Sequence, residues 1–338
     1  QKINIEILPY SDEFVKMHEE FSVKLWPNKK RRRSEIYNRW KFRGPERGTV
    51  NGLLLAVSEN TIIGQLGLIP VTLTSDGKDY DAQWACDLIV DHDHRKSGVG
   101  NKLFKAAMDR DMITLGNNPS PKADVLMTKA GFKPFKCGRL MVFPIDPGKL
   151  VNWAVPKKFS SINPVISKII KPYFKLKKKK FEKVKSDFYI CELNDTELLI
   201  SQRQKNDRNP QIKHDKAFLE WRASGFLNYF PKLKTIMSPK GSYVLYSHFG
   251  VNFNLYEWHC ADESDFMSMF SYLFRECEND KTEIIQAIAN STDEMKWLAG
   301  AGFIKSRNDE KVIYYTKDDP FKDSERFYFT LYDTDLNL

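Results

Sequence analysis

The stretch Asp87-Leu88-Ile89-Val90-Asp91-His92-Asp93-His94-Arg95-Lys96-Ser97-Gly98-Val99-Gly100-Asn101-Lys102-Leu103-Phe104 decides how this chain is read. Ala85 to Val90 is an apolar run that reads as a buried strand and gives way to a polar turn. After Arg-x-x-Gly-x-Gly, Val99, Leu103, Phe104, Ala107 and Met108 recur at helical spacing, with Lys102, Lys105 and Asp109 on other faces. Strand, glycine turn and helix in that order build an anion cradle. Glycines let the main chain approach a ligand closely. The first amides of the helix point at the same spot, where the helix dipole favours negative charge. A phosphate or pyrophosphate is therefore expected on residues 95–101. The plainer alternative is a pair of glycines that only makes a turn. The strand before, the helix after and the basic pair Arg95-Lys96 weigh against it.

Two other phosphate loops are excluded. No Gly-x-x-x-x-Gly-Lys-Ser/Thr string occurs, and the third glycine of a dinucleotide loop is replaced by Leu103. The loop instead resembles the acetyl-CoA loop of the GNAT N-acetyltransferase superfamily, Arg/Gln-x-x-Gly-x-Gly/Ala. The resemblance extends over about residues 3 to 145. Gly52 to Ser58 and Thr61 to Thr74 read as a hairpin turning near Glu59-Asn60, with a second turn at Ser75-Asp76-Gly77. Downstream, Met112 to Gly116 resembles the next strand, and Ser120 to Phe132 the next helix with its closing Ala-Gly-Phe.

That resemblance implies acetyl-CoA as co-substrate and no metal. The amides of Arg95, Lys96, Ser97, Gly98, Val99, Gly100 and Asn101 would hold the pyrophosphate. The splayed strand end at Leu88, Ile89 and Val90 would pair with the pantetheine arm and stabilise the oxyanion of the thioester. One position departs from the pattern. Where many members carry a tyrosine that protonates the leaving thiolate, this chain has Met127.

At 338 residues the chain suggests two domains of ~150 to 170 residues. The expected division is a first GNAT-like domain at 1–150, a basic linker at 151–186 and a second GNAT-like domain at 187–338. The fold class is α+β, each domain a mixed, mostly antiparallel sheet flanked by helices. Five cysteines without C-x-x-C argue against a disulfide framework or a zinc site. No signal peptide is visible and no apolar run approaches ~18 residues, so a cytoplasmic protein is expected. The net charge of +9 concentrates in Lys29 to Arg33 and in nine lysines between Lys168 and Lys185. The second run reads as a solvated linker, partly helical. A surface for acidic lipid is the next reading, and nucleic acid is not expected.

The second half repeats landmarks of the first. Trp221 in Lys216 to Arg222 echoes Trp40 in Ser34 to Lys41, and Ala301-Gly302-Phe303 echoes Ala130-Gly131-Phe132. A hairpin turning at Phe249-Gly250, a helix from Ser264, a strand from Thr282 and a helix from Asp293 follow in the same order. Where a glycine loop should stand, Cys260-Ala261-Asp262-Glu263-Ser264-Asp265 has no glycine and three acids, so a second CoA site is not expected.

Amide-forming chemistry needs a proton acceptor for the attacking amine. Asp87 is the first candidate; its alternative role is an ion pair with an arginine or lysine. His92 and His94 read as solvated turn residues. Trp40, Trp84, Tyr256, Glu257, Trp258 and His259 are candidate walls of an acceptor pocket, with the core as their other reading. Tandem chains of this layout resemble acetyltransferases of bacterial glycan biosynthesis, which implies an amine acceptor such as an amino sugar. A Fem-type aminoacyl transferase using aminoacyl-tRNA and a non-catalytic ligand sensor are the alternatives. The oligomeric state is left open.

Overall fold

The computed structural model describes residues 4–27, 34–45, 52–145, 163–228, 232–278, 282–306, 310–321 and 326–333. The basic run Lys29 to Arg33 and the linker residues 151–162 lie outside them.

The first half runs β1 (Glu6–Pro9), α1 (Val15–Leu25), α2 (Glu35–Arg43), β2 (Leu53–Ser58), β3 (Thr61–Ser75) and β4 (Lys78–Val90). Then come α3 (Val99–Met108), β5 (Ile113–Asn117), α4 (Pro121–Lys129), β6 (Lys133–Phe135) and β7 (Arg139–Pro144). The two expected hairpin turns use paired positive φ values, 48° and 58° at Glu59-Asn60 and 49° and 74° at Asp76-Gly77. That geometry matches the twist of the flanking strands.

The second half runs α5 (Asn163–Glu182), β8 (Tyr189–Ile190), α6 (Leu193–Asn206), β9 (Gln211–Ile212), α7 (Lys216–Asn228) and β10 (Lys234–Met237). It continues with β11 (Tyr243–Phe249), β12 (Asn252–His259), α8 (Glu263–Glu278), β13 (Ile284–Ala289), α9 (Thr292–Ala301), β14 (Ile304–Lys305) and β15 (Val312–Tyr315). Hairpin, helix, strand and helix follow one another as the sequence predicts.

Two sheets result, ordered β1-β2-β3-β4-β5-β15-β6 (with β9 also on β3) and β14-β7-β13-β12-β11-β10-β8. Each contains a single parallel pair among its described strands, β4 with β5 and β12 with β13. The α+β architecture of mixed, mostly antiparallel sheets is the one expected. The sequence did not reveal a reciprocal exchange. β15, from the end of the chain, lies between β5 and β6 of the first sheet. β7, from the first half, lies between β13 and β14 of the second. Strand alternation tells which face a strand buries, not which neighbour it takes.

The cores follow this plan. One cluster joins α3, α4 and the first sheet through Val99, Leu103, Phe104, Met127, Phe132 and Ile313 of β15. A second joins α5, α8 and the second sheet, taking in Phe143 of β7. The third bridges the halves, and Trp40 and Trp221 meet within it. Their rings stack at 5.6 Å, Trp40 Nε1 donates to the Trp221 carbonyl at 3.1 Å, and Trp221 Nε1 donates to the Trp40 carbonyl at 3.0 Å. A Cβ on Gly225 would stand 2.0 Å from the Trp40 ring, so this approach requires glycine.

Helix α5 corrects the expectation of a solvated linker. Phe174 and Phe181 are buried in the second core, and a fully buried phenylalanine is worth ~2 kcal/mol. The charge run hid the seven-residue spacing of these two rings.

Candidate functional site

Strand β4 pairs with β5 only from Ala82↔Ile113 to Ala85↔Gly116. β5 ends at Asn117, and Leu88, Ile89 and Val90 show no ladder pairing to β5 among the described residues. The three side chains expected at the splay, Leu88, Ile89 and Val90, are half-buried. Asp91 closes the strand. It is buried, accepts from the Asp93 amide, and binds Lys24 Nζ at 2.6 Å, which holds its carboxyl below the ordinary range.

The turn then passes through a 3-10 segment, His92–His94, to Gly98, which adopts φ 80° and ψ 10° at the head of α3. A left-handed residue here suits glycine and strains nearly every other type. Lys102 N is the first amide of α3 to bond back, to the Gly98 carbonyl at 3.1 Å. The amides of Val99, Gly100 and Asn101 thus form the unpaired first turn. Space beyond Gly98 is open, and a Cβ on Gly100 would meet only Leu126, at 3.8 Å. Arg95, Lys96 and Ser97 are exposed on the same turn; Arg95 Nε donates to the Val90 carbonyl and Ser97 Oγ to that of His94. A groove of about 420 Å³ continues between α3 and α4, lined by Asn101, Lys105, Leu126, Lys122 and Lys129 among others. Asn101 belongs both to the first turn of α3 and to the lining of this groove.

Asp87 occupies a β-bulge. Gln65 opposes Ile89 and Gly67 opposes Cys86, so Asp87 and Leu88 together face Leu66. Asp87 takes φ 49°, a left-handed conformation that aspartate tolerates better than most residues. Its carboxylate meets Lys41 Nζ at 2.7 Å, with the two side chains 6% and 0% exposed. Of the two roles open from sequence, the structure shows the ion pair, with a lysine of α2. Gln65 Nε2 donates to the Asp87 carbonyl, and Gln65 Oε1 lies 2.8 Å from His18 Nε2. Burial pushes the His18 imidazole below its ordinary value. Met127 is buried against β5, where a Cβ on Gly116 would stand 2.6 Å from its Cε.

The matching place in the second sheet is built differently. β12 carries a bulge at Tyr256 and pairs with β13 only up to Asn254↔Gln286. Here the chain fills its own gap. The Tyr256 carbonyl accepts from Tyr332 N at 3.0 Å, and Trp258 Nε1 donates across to the Ile288 carbonyl at 2.9 Å. In the following turn Asp262 accepts from the Asp265 amide. Asp265 itself is buried against Ser238 Oγ, Ser242 Oγ and Lys240.

Most of the expected acceptor-pocket walls belong to the core. Trp40, Trp84, Tyr256, Glu257 and Trp258 are all buried, and His259 is half-buried. Glu257 is the centre of a charged cluster that the sequence did not reveal. Arg203 Nη2 lies 3.0 Å from it, the Tyr243 hydroxyl 3.2 Å and His214 Nδ1 3.2 Å, while His214 Nε2 reaches Asp333 at 2.6 Å. Burial pushes His214 down, but Asp333 and Glu257 outweigh it and raise the imidazole to about 9. Burial likewise opposes charge on Glu257, yet Arg203 and His214 hold it at about 2. Each landmark tryptophan is followed by a buried cation outside this cluster, Lys41 and Arg222, and Lys41 is the partner of Asp87.

No protein-family model matches the chain, and no curated protein matches its sequence. Solved structures do match. A GCN5-related N-acetyltransferase from Anabaena variabilis superposes with a TM-score of 0.61 at 9% identity, over 92% of this chain and 72% of that one. One from Kribbella flavida gives 0.60 at 8%, over 92% and 71%. The N-myristoyltransferase of Saccharomyces cerevisiae, solved with bound myristoyl-CoA, gives 0.60 at 12%, over 92% and 79%. The matched lengths take in both sheets, and at such identities the likeness is one of architecture. The chain has the fold of the GCN5-related N-acetyltransferases, the GNAT superfamily.

Proposed function

We propose that this protein is an acyl-CoA-dependent N-acyltransferase that transfers an acetyl group from acetyl-CoA to a primary amine. The observation that carries the reading is the sequence of strand end at Leu88 to Val90, amides of Val99 to Asn101 at the head of α3, and a groove that Asn101 shares with Lys122 and Lys129. It offers main-chain partners to an amide-bearing arm and unpaired amides to a pyrophosphate, with ammonium groups beside them. In the reaction the amine nitrogen attacks the thioester carbonyl, the carbon–sulfur bond breaks, and an amide and a free thiol result. Met127 has no proton to give, so water protonates the leaving thiolate in this proposal.

Asp87 is assigned first the task of holding the bulge that turns the edge of β4 outward. Proton acceptance from the amine is its alternative role. Asp87→Asn separates the two. A positioning loss raises KM for acetyl-CoA with the pH profile unchanged, whereas a lost base removes the acidic limb of the kcat profile.

The two halves are read as a duplication with one surviving donor site. The reciprocal tryptophan pair, the shared element order and the two bulges support that reading. For the acceptor we propose an amino sugar of glycan biosynthesis, on the resemblance of the tandem layout noted above. The test is thermal unfolding with acetyl-CoA and longer acyl-CoA thioesters, followed by mass spectrometry of an amine panel. Acetyl-CoA at 100 times its Kd should add ~2.7 kcal/mol of stability. No stabilisation by any thioester would sink the reading in favour of an aminoacyl-tRNA donor. Binding without product from any amine would leave a sensor.

A further inference from the structure

Helix α5 has two apolar faces, and only one of them is buried. Phe174 and Phe181 enter the second core. Val165, Ile169, Tyr173 and Leu176 lie on another side, 60%, 70%, 50% and 69% exposed. At 100° per residue these four fall within one stripe. Lys168, Lys171, Lys175, Lys179 and Lys180 are exposed around it, and Glu182 is the sole acid of the helix. Scattered exposed hydrophobics need no explanation, but a contiguous apolar stripe rimmed by ammonium groups does.

We propose that α5 docks this protein on an anionic phospholipid bilayer. The helix lies in the plane of the interface, with its stripe at the acyl boundary and its lysines on headgroup phosphates. The charges keep it on the surface, and no helix among the described residues is long and apolar enough to cross a membrane. A polynucleotide would satisfy the lysines but leave the stripe in water. A second copy would cover the stripe but set two lysine rows against each other. An anionic bilayer satisfies both. Because the inner face is fixed by Phe174 and Phe181, the stripe is presented preformed, so docking need not order a helix.

The test is co-sedimentation of the full chain with vesicles of phosphatidylcholine alone or mixed with phosphatidylglycerol. Binding to the anionic vesicles should exceed binding to the neutral ones by about tenfold or more. It should be released at about 0.5 M salt, where the screening length is only a few ångströms. Ile169→Glu with Leu176→Glu, and separately Lys175→Gln with Lys179→Gln and Lys180→Gln, should each lower it about tenfold. The wild-type arms need no variant, so a misfolded variant does not rescue the proposal. Failure of the wild-type chain to bind anionic vesicles overturns it. So does duplex DNA binding that survives the two glutamates while vesicles are ignored, or a dimer that those glutamates break without any vesicle binding.

Discussion

Both sheets open between their parallel strands, and they deal with the opening in opposite ways. In the first, β4 leaves β5 after Ala85, residues 88–90 show no ladder pairing to β5 among the described residues, and the turn into α3 offers amides around a left-handed Gly98. In the second, β12 leaves β13 after Asn254, but Tyr332 and Trp258 fill the edge and Asp262 caps the turn into α8. One fold therefore carries an open strand edge or a closed one, depending on whether its main-chain groups find partners within the chain. Buried main-chain groups must be paired somehow. The second sheet completes that pairing within the chain, and in the proposal above an acyl-CoA completes it for the first.

The comparison breaks first at the glycines. Gly98→Trp or Gly100→Trp should abolish acetyl-CoA binding by calorimetry, a loss of at least ~4 kcal/mol if affinity falls a thousandfold. Normal affinity in both variants would mean that the first turn is no more a donor site than the second.

The next largest effect belongs to the closed half and is driven by pH. His214 has a folded value raised to about 9. Its stabilisation is fully present below the ordinary value of about 6.5 and is lost as pH climbs through about 9. Glu257, depressed to about 2, contributes above its ordinary value and loses its contribution only as pH falls through about 2. Urea unfolding should therefore weaken by on the order of 2 kcal/mol between pH 7 and 9.5. His214→Gln should remove that alkaline step, and its persistence would place the titrating group elsewhere.

The smallest effect sharpens the contrast at the second turn. Asp265→Asn keeps most of the geometry around Ser238 and Ser242 and should cost about 1 kcal/mol of stability. Acetyl-CoA affinity should not move. A matching loss of affinity would show that the two turns are coupled rather than independent.

Much of the open site was legible because its parts are local. The strand run, Gly98, Gly100 and the helical spacing from Val99 lie within one short segment, and each has a backbone reason for its residue type. The closed site was not, because Arg203, His214, Glu257 and Asp333 are brought together only by tertiary packing. The bulge at Asp87 was likewise silent: aspartate tolerates a positive φ but does not announce it. Helix α5 was half legible, since its lysines announced exposure and concealed the two phenylalanines that anchor it.

The exchange of β7 and β15 bears on how the chain is made. The first sheet lacks a strand between β5 and β6 until Val312 to Tyr315 has been synthesised, some 180 residues after β6. At ~5 to 20 residues per second, translation leaves that groove open for roughly 10 to 35 s. During that time β5 and β6 are bare strand edges, the kind of surface that pairs with the wrong chain. The first sheet, although most of its strands precede the second sheet in the sequence, is closed only by one of the last described strands.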